Sequence, residues 1–371
     1  TRQIWAAAVK QTATLVAPIQ SRGGGLFSLW KRATTMREAS AHRAIFLGDS
    51  DMKTIAKAQR GSLGPSVLDC LDNKYLVQCG GLPGRGTDVA NLAARASFTE
   101  RKARGTSGAG IYIDIVSAFY SIIRGLAVPV CESDEAIARL FYDLGFSEGV
   151  IHELALMLTQ PTVLEKAGVS EVMRQTMSLH FEGTWFKMNG APSEALAQAF
   201  AGTRPGHPFA DLIFSFVFAK IGDEIGQALD VQGLVPRYPI GSIPTPFGQQ
   251  PTDSVPGAMI CFIDDAFVNV ETDNATVVRE GFGVVLQLVV AAPATIVAVC
   301  KRHGLRVNGK RNKTEAMVHF TVRPKQARLF MQQHETVQVP CGDDPPLQIC
   351  LVNKYKHLGS IIKSSSDMYD E

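Results

Sequence analysis

The chain has 371 residues, of which 46% are hydrophobic and 19% are charged. At about 150 residues per domain this length predicts two or three domains, and the balance of residue types is that of a chain able to bury a core. Wholesale disorder and collagen-like or mucin-like character are therefore excluded. The formal net charge is only +2, from 37 Lys and Arg against 35 Asp and Glu. Any affinity for nucleic acid must then come from a local concentration of positive charge.

The cysteines and the N-terminus both bear on the compartment. The seven cysteines are odd in number, and no two stand two to four residues apart, as a zinc knuckle or a redox motif requires. We expect them to be small buried side chains in a reducing environment. The chain starts at Thr1 without the basic and apolar regions of a secretory signal. This start predicts an internal fragment of an intracellular protein, located in the cytoplasm or the nucleus.

In the first part of the chain, local sequence predicts two strands, a loop and a helix. The apolar runs Gly25–Trp30 and Ala44–Leu47 have the length of strands. Four glycines and a proline in Gln78–Thr87 (QCGGLPGRGT) leave no regular element possible, so this segment is a loop. Asp88 can cap the helix that follows.

Helices and an irregular segment are predicted for the middle of the chain. Residues 134–160 carry apolar side chains at helical spacing, and Phe209–Ile225 is apolar enough to be a buried helix. Six prolines between Val235 and Pro256 predict a surface segment of irregular backbone.

One stretch is long and apolar enough to suggest a membrane span. Gly281–Cys300 holds twenty residues without a charge. It also holds two Gly, a Gln and a Pro, and a span here would put the Asp264–Asp265 pair and the basic segment after Cys300 on opposite sides of a bilayer. We therefore prefer a buried helix bent near Pro293, and no membrane partner is expected.

Two apolar strands are predicted to lead into carboxylates. Ile111–Val116 is rich in β-branched and aromatic residues and contains Asp114, and the apolar segment before Asp264 and Asp265 is a second strand. An ionised carboxylate loses several kcal/mol of solvation on burial unless it is paired or holds a cation. Three carboxylates at adjacent strand ends would form an oxygen-only site for a hard divalent cation, with Mg2+ first. The alternative for the Asp pair is an ordinary turn.

A basic segment follows. Nine Lys and Arg stand between Lys301 and Arg328, against the single acid Glu315, at positions 301, 302, 306, 310, 311, 313, 323, 325 and 328. Such a run is usually a solvated face. The alternative is a surface that follows a phosphate backbone and gives sequence-independent, salt-sensitive binding.

Five segments, read in order, resemble motifs of reverse transcriptases, and the non-LTR retrotransposon branch most of all. They are IYIDIVSAFY (111–120), GTRPGHPFADLIF (202–214), CFIDDA (261–266), GLRVNGKRNKTEAM (304–317) and YKHLGSI (355–361). Upstream, Lys31–Leu47 resembles the first fingers motif, and Gln78–Thr87 resembles the QxGFRxGRST loop. The resemblance covers nearly the whole chain.

The resemblance implies an α+β fold, the fingers and palm of a right-hand polymerase. Residues 1–110 would be fingers, with part of 130–190 returning to them, and 111–330 would be the palm. The palm would be a split βαβ, ferredoxin-like antiparallel sheet with packed helices. Residues 331–371 would hold the primer-grip hairpin and the start of the thumb connection, the thumb itself being absent or truncated.

The resemblance also implies a metal site. Asp114 matches the first metal-binding aspartate, Asp264 the first acid of the YxDD-type turn, here FIDD, and Asp265 its companion. The backbone carbonyl of Ile115 would be a further ligand. Together these groups would hold two Mg2+ ions, for which Mn2+ could substitute, as in two-metal phosphoryl transfer.

Two positions are implied to contact the incoming nucleotide. Phe119 matches the aromatic gate that would clash with a ribose 2′-hydroxyl, which points to deoxynucleotides. Gly206 matches the glycine of the QGxPxSP loop, where a missing side chain lets the backbone approach template and nucleotide. This sequence departs from the motif, because Pro205 replaces Gln and Ala210-Asp211 replace Ser-Pro. These departures put fidelity or activity in doubt.

Several basic residues match positions that contact phosphate. Lys313 best matches the lysine that acts as general acid towards the leaving pyrophosphate, and Lys310 is its rival, because four residues separate Lys313 from Asn308 where the family often has two. Lys31 and Arg43 match fingers positions that contact the triphosphate or template.

The last motif and the overall function follow. Tyr355, Leu358 and Gly359 resemble the primer-grip hairpin. The implied function is an RNA-directed DNA polymerase of a retroelement, with an RNA template, a DNA primer and dNTPs as partners. One alternative is a decayed or domesticated copy that binds nucleic acid without polymerising. Another is a different palm nucleotidyltransferase, such as a cyclase, which leaves the primer-grip and basic motifs unexplained. The sequence does not indicate an oligomeric state.

Overall fold

The computed structural model describes residues 2–17, 19–30, 42–63, 69–82, 84–129, 134–188, 196–240, 253–257 and 259–363. The chain forms two compact units. The first consists of Thr1–Cys70 and Ser117–Val217, and the second of Leu71–Val116 and Phe218–Glu371. Residues 71–110, which the sequence assigned to the fingers, thus share a unit with the segment that contains Asp114.

Strands and helices both contribute, so the fold is α+β, as predicted. The strands are β1 (Gly23–Trp30), β2 (His42–Gly48), β3 (Leu76–Gln78), β4 (Thr106–Ile113), β5 (Trp185–Met188), β6 (Leu196–Gln198), β7 (Arg237–Ile240), β8 (Asp253–Pro256), β9 (Met259–Phe262), β10 (Asp265–Asp273), β11 (Glu315–His319), β12 (Thr336–Cys341), β13 (Asp344–Leu351), β14 (Lys354–His357) and β15 (Ser360–Lys363). The α-helices are Arg2–Thr14, Ser50–Arg60, Thr87–Arg104, Ala118–Ser121, Asp134–Asp143, Glu148–Leu158, Val163–Lys166, Glu171–Leu179, Ala210–Val231, Asn274–Glu280, Gly283–Arg302 and Pro324–Gln332.

The first unit contains a sheet in the order β2-β1-β5-β6. Strand β1 runs antiparallel to β2 and parallel to β5. The strands predicted at Gly25–Trp30 and Ala44–Leu47 are confirmed. The predicted helical stretch 134–160 is interrupted at Gly145, whose φ is +73°, and forms two helices.

The second unit contains a larger sheet, in which the described strands follow the order β12-β13-β11-β4-β10-β9-β3. Strand β4 runs antiparallel to both β10 and β11, and β9 runs antiparallel to β10. Strand β3 joins the edge in parallel with β9. Strand β4 is buried from Ser107 to Ile113, because it lies in the middle of the sheet and is covered by helices.

The helix Gly283–Arg302 packs against β4, β10 and β12. Its buried side chains recur every three or four residues, which is one face of an α-helix: Val285, Val289, Ala292, Ile296 and Val299. Within the described residues it is the one helix long and apolar enough to cross a membrane by length and composition. Pro293 lies within this helix and is itself buried.

Three local predictions need correction. The residue before the helix Thr87–Arg104 is Gly86, and Asp88 lies in the first turn without capping it. The segment 235–256 is not wholly irregular, because β7 and β8 pair antiparallel, with residues 241–252 outside the described part. The strand predicted over Ile111–Val116 ends at Ile113. Beyond this residue only Ile115 pairs, in an isolated bridge to Val307.

Candidate catalytic site

Asp114 is held by the loop that precedes β11, the strand next to β4. It follows β4 directly, and its backbone N–H donates to Thr314 Oγ1 at 3.2 Å. The backbone N–H of Asn308 donates to the carbonyl oxygen of Asp114 at 2.8 Å. The Asn308 side chain donates from Nδ2 to Asp114 Oδ2, also at 2.8 Å. Backbone and carboxylate of Asp114 are therefore both held by one residue, Asn308.

The second pair of acids lies in a hairpin turn. Asp265 pairs with Phe262 across β9 and β10, so Ile263 and Asp264 form a two-residue connection. In the antiparallel register of β10 and β4, Ala266 faces Ile113. One step beyond that pair, Asp265 comes opposite Asp114. Strand pairing thus brings together acids that are 151 residues apart in the sequence (265 minus 114).

The carboxylates interact electrostatically. Burial raises the pKa of Asp265 to about 6, with the negative charges of Asp264 and Asp114 adding to the rise and Lys313 opposing it. Like charges held this close disfavour full ionisation, and a cation relieves that repulsion. The three acids therefore form a negatively charged cluster within the second unit.

Lys313 neutralises part of this charge. Its Nζ donates to Asp114 Oδ1 at 2.8 Å, and the lysine side chain is about half exposed. Its backbone carbonyl accepts a hydrogen bond from the Tyr355 hydroxyl at 2.7 Å. The contact of Lys313 Nζ with Asp114 distinguishes this lysine from Lys310. The Lys310 backbone N–H donates to Asn308 Oδ1 at 3.2 Å, and its side chain is exposed.

The donor set suits a hard cation in kind, because it consists of carboxylate and carbonyl oxygens. Both oxygens of Asp114 already have partners, Lys313 and Asn308. Among the described residues no three His, Cys, Asp or Glu side chains form a preassembled metal cluster. An ammonium group and a divalent cation repel each other, so a cation on Asp114 Oδ1 would require Lys313 Nζ to move away from that oxygen.

The hairpin of β14 and β15 contains the three residues predicted for the primer grip. Its turn is made by Leu358 and Gly359, with φ of +47° and +87°. The ring of Tyr355 stacks on Tyr112, with ring centroids 4.1 Å apart. The ring of Tyr355 therefore contacts Tyr112 of β4, and its hydroxyl contacts the backbone of Lys313.

The residues predicted to contact the nucleotide belong to the first unit. Phe119 lies in the short helix Ala118–Ser121, and its ring packs near Phe214 at 5.3 Å. Gly206 has φ of +96°. Arg43 lies on β2, opposite Leu29. Lys31 falls outside the described residues.

The acid that replaces part of the QGxPxSP motif has a structural partner. Asp211 Oδ1 lies 2.5 Å from Arg60 Nη1, which also donates to the Pro208 carbonyl. Both side chains are about one quarter exposed. Asp211 is thus neutralised inside the first unit and does not present an isolated negative charge.

Sequence reasoning missed two residues of the site. Asn308 holds Asp114, and the available signal was an amide that follows Val307, in RVNG. Gln78 contacts the turn before Asp264 through Ile263, and its signal was similar, an amide at the end of the run YLVQ. Gln78 ends the buried strand β3, whereas Asn308 lies in the loop before β11, and each amide bonds to a residue that is distant in the sequence.

No protein-family model and no curated protein matches the chain. Among solved structures, it is similar to apo telomerase from Candida tropicalis truncated from the C-terminal domain, with a TM-score of 0.45, 10% identity, and coverage of 98% of this chain and 59% of that chain. It is also similar to telomerase from Candida albicans in complex with a TWJ fragment of telomeric RNA, with a TM-score of 0.34, 9% identity, and coverage of 84% and 45%. The chain spans less than two thirds of either telomerase chain.

Proposed function

We propose that this chain is the fingers and palm of a retroelement reverse transcriptase, which adds dNTPs to a primer 3′-hydroxyl on an RNA template. The observation that carries the proposal is the strand register that pairs Ala266 with Ile113 and so brings Asp264 and Asp265 to the end of β4, where Asp114 follows. The order β11-β4-β10-β9 supports a palm, because antiparallel strands arranged 4-1-3-2 in chain order are those of a split βαβ sheet.

The chemistry proposed for the site is two-metal phosphoryl transfer. Two Mg2+ ions held by Asp114, Asp264, Asp265 and the carbonyl of Ile115 would activate the primer hydroxyl and neutralise the triphosphate. Lys313 would supply a proton to the leaving pyrophosphate. The position of its ammonium group beside Asp114 supports this assignment.

The remaining roles are proposed from the motifs. Phe119 would exclude the ribose 2′-hydroxyl. Gly206 would let backbone approach the nucleotide, with Arg43 and Lys31 contacting phosphate. The hairpin with Tyr355, Leu358 and Gly359 would hold the primer end.

The experiment is primer extension on poly(rA)/oligo(dT) with Mg2+. We expect incorporation of dTMP, and Asp264→Asn should abolish it because a carboxylate ligand is lost. Asp343→Asn is the matched control, since Asp343 is an exposed turn acid of the same unit and should keep wild-type activity. Equal loss in both variants would contradict the assignment.

A second candidate function is a decayed copy that binds an RNA–DNA duplex without polymerising. The Pro205 and Asp211 departures favour it, and the ion pair of Asp211 with Arg60 shows that the acid serves the fold. Duplex binding without any incorporation would favour this candidate over the polymerase.

A further inference from the structure

The turn that carries Asp264 and Asp265 contains an unusual backbone conformation. Ile263 has φ of +60°, a left-handed region that side chains with a branched Cβ rarely adopt. It is the first residue of the two-residue connection between β9 and β10. Such a turn ordinarily has glycine at this position. Something else must therefore hold Ile263 in place.

The side chain of Gln78 contacts both backbone groups of Ile263. Its Oε1 accepts from the Ile263 N–H at 2.8 Å, and its Nε2 donates to the Ile263 carbonyl at 3.4 Å. Oε1 also accepts from the Gly80 N–H at 3.0 Å. Gln78 has no exposed surface, so water does not compete for these hydrogen bonds.

The Gln78 backbone is itself fixed at both ends. Its N–H donates to Asp72 Oδ1 at 3.0 Å, and its carbonyl accepts from Arg85 Nη1 at 2.9 Å. Arg85 and Asp72 form an ion pair at 2.7 Å. The backbone of Gln78, whose side-chain amide contacts Ile263, is therefore held by hydrogen bonds on both its N–H and its carbonyl.

Steric fit at Gly80 closes the arrangement. A Cβ built on Gly80 would lie 2.6 Å from the Ile263 nitrogen and 2.4 Å from its Cγ1. A Cβ at these distances would overlap the Ile263 backbone, which cannot move aside as a flexible side chain can. Only glycine at position 80 therefore allows Ile263 to pack here. The segment Gln78–Gly80 is thus shaped to the turn.

We infer that Gln78 is a positioning residue, whose amide sets the conformation of Ile263 and thereby the placement of the Asp264 and Asp265 carboxylates opposite Asp114. The catalytic part of this inference rests on the proposed polymerase function. The structural part, that Gln78 holds the turn, does not.

The first test is amide hydrogen exchange of the segment 261–266. Gln78→Leu keeps the volume and removes the hydrogen bonds, so we expect the Ile263 amide to exchange at least 10-fold faster. Gln338→Leu, an exposed glutamine of β12, is the matched control and should leave this exchange unchanged. Unchanged exchange in Gln78→Leu would overturn the inference, whether or not the protein polymerises.

The second test is rescue. Glycine adopts φ of +60° without strain, so Ile263→Gly in the Gln78→Leu background should recover thermal stability. If Gln78→Leu alone does not fold, the double variant should fold. A double variant as unfolded as the single one would contradict the role assigned to Gln78.

The third test separates positioning from general stability. In primer extension, Gln78→Leu should lower kcat at least 10-fold at unchanged KM for primer–template, and the double variant should recover part of it. Faster exchange with wild-type kcat would overturn the positioning role. A wild-type protein without any incorporation would refute the proposed function, and hydrogen exchange would then still decide whether Gln78 holds the turn.

Discussion

At the residue scale, the Asp114 carboxylate is engaged on both oxygens by Lys313 and Asn308. A lysine ammonium group beside a carboxylate offsets its negative charge as a metal ion would, but with one positive charge where a divalent cation carries two. Lys313 therefore lowers the electrostatic repulsion within the acid cluster.

We expect Lys313→Ala to reduce incorporation by about 10²-fold or more, the typical contribution of a positioned general acid. Lys310→Ala is the matched control, because Lys310 is exposed and only its backbone is bonded to Asn308. At saturating primer–template it should change the single-turnover rate less than about 3-fold, since the loss of a phosphate contact weakens binding and leaves the chemical step unchanged. Single-turnover rates of the two variants decide between the lysines, and a larger loss in Lys310→Ala would reverse the assignment.

The Phe119 ring is the second residue whose role a substitution can test. Phe119→Ala should admit ribonucleotides and lower discrimination against rTTP at least 10-fold, because no ring remains to clash with the 2′-hydroxyl. Phe119→Tyr keeps the ring and should keep discrimination. The ratio of kcat/KM for dTTP and rTTP measures this, and an unaltered ratio in Phe119→Ala would remove the gate assignment.

At the scale of elements, buried hydrogen bonds fix the loop 202–207 within the first unit. Arg124 is buried and donates from Nε to the Gly202 carbonyl at 2.7 Å and from Nη1 to the Phe181 carbonyl at 2.7 Å. The Gly202 N–H donates to the Ile122 carbonyl at 2.9 Å. One guanidinium thus ties the start of the loop to the segment after Phe119.

Gly202→Ala should destabilise the protein strongly. Its φ is +77°, and an added Cβ would lie 2.6 Å from Tyr120 Cα. Left-handed backbone costs roughly 1–2 kcal/mol and overpacking a further 1–3 kcal/mol, so we expect about 2–5 kcal/mol. Gly233→Ala, with φ of +69° and open space around it, isolates the backbone cost of roughly 1–2 kcal/mol. Denaturant unfolding measures both, and equal losses would show that the close approach is not rigid.

At the scale of the whole molecule, the basic segment 301–328 is partly neutralised. Lys301 lies 2.7 Å from Asp344, and Arg302 lies 3.7 Å from Glu224. Lys310 and Arg311 are exposed and stand in the loop that also carries Lys313. We therefore expect Lys310 and Arg311, which lie close to Lys313 in the chain, to contact phosphate, and Lys301 and Arg302 to contribute little.

Salt titration of duplex binding tests this distribution. Replacing Lys310 and Arg311 by Gln should flatten the dependence of log K on log salt by about 1.4–1.8, because each of the two lost phosphate contacts contributes roughly 0.7–0.9. Replacing Lys301 and Arg302 by Gln is the matched control and should change the slope by less than about 0.5, since acids already face these residues. Equal slopes for the two variants would contradict a specific phosphate contact by Lys310 and Arg311, and the basic run would then be an ordinary solvated surface.

The sequence by itself determined the local elements. Apolar runs of strand length predicted β1, β2 and β9, and the uncharged apolar stretch Gly281–Cys300 predicted a buried helix, because such sequences are stable only where they are covered. It also identified Asp114, Asp264 and Asp265 as acids next to buried strands, since such acids are costly without a partner.

Only the tertiary structure decided how these elements serve a site. The register of β4 and β10 sets Asp265 opposite Asp114, and no local pattern encodes a register between strands so far apart in the chain. The bond from Gln78 to Ile263 spans 185 residues. Such contacts follow from the packing of the whole sheet, which fixes distances that propensity and periodicity leave open.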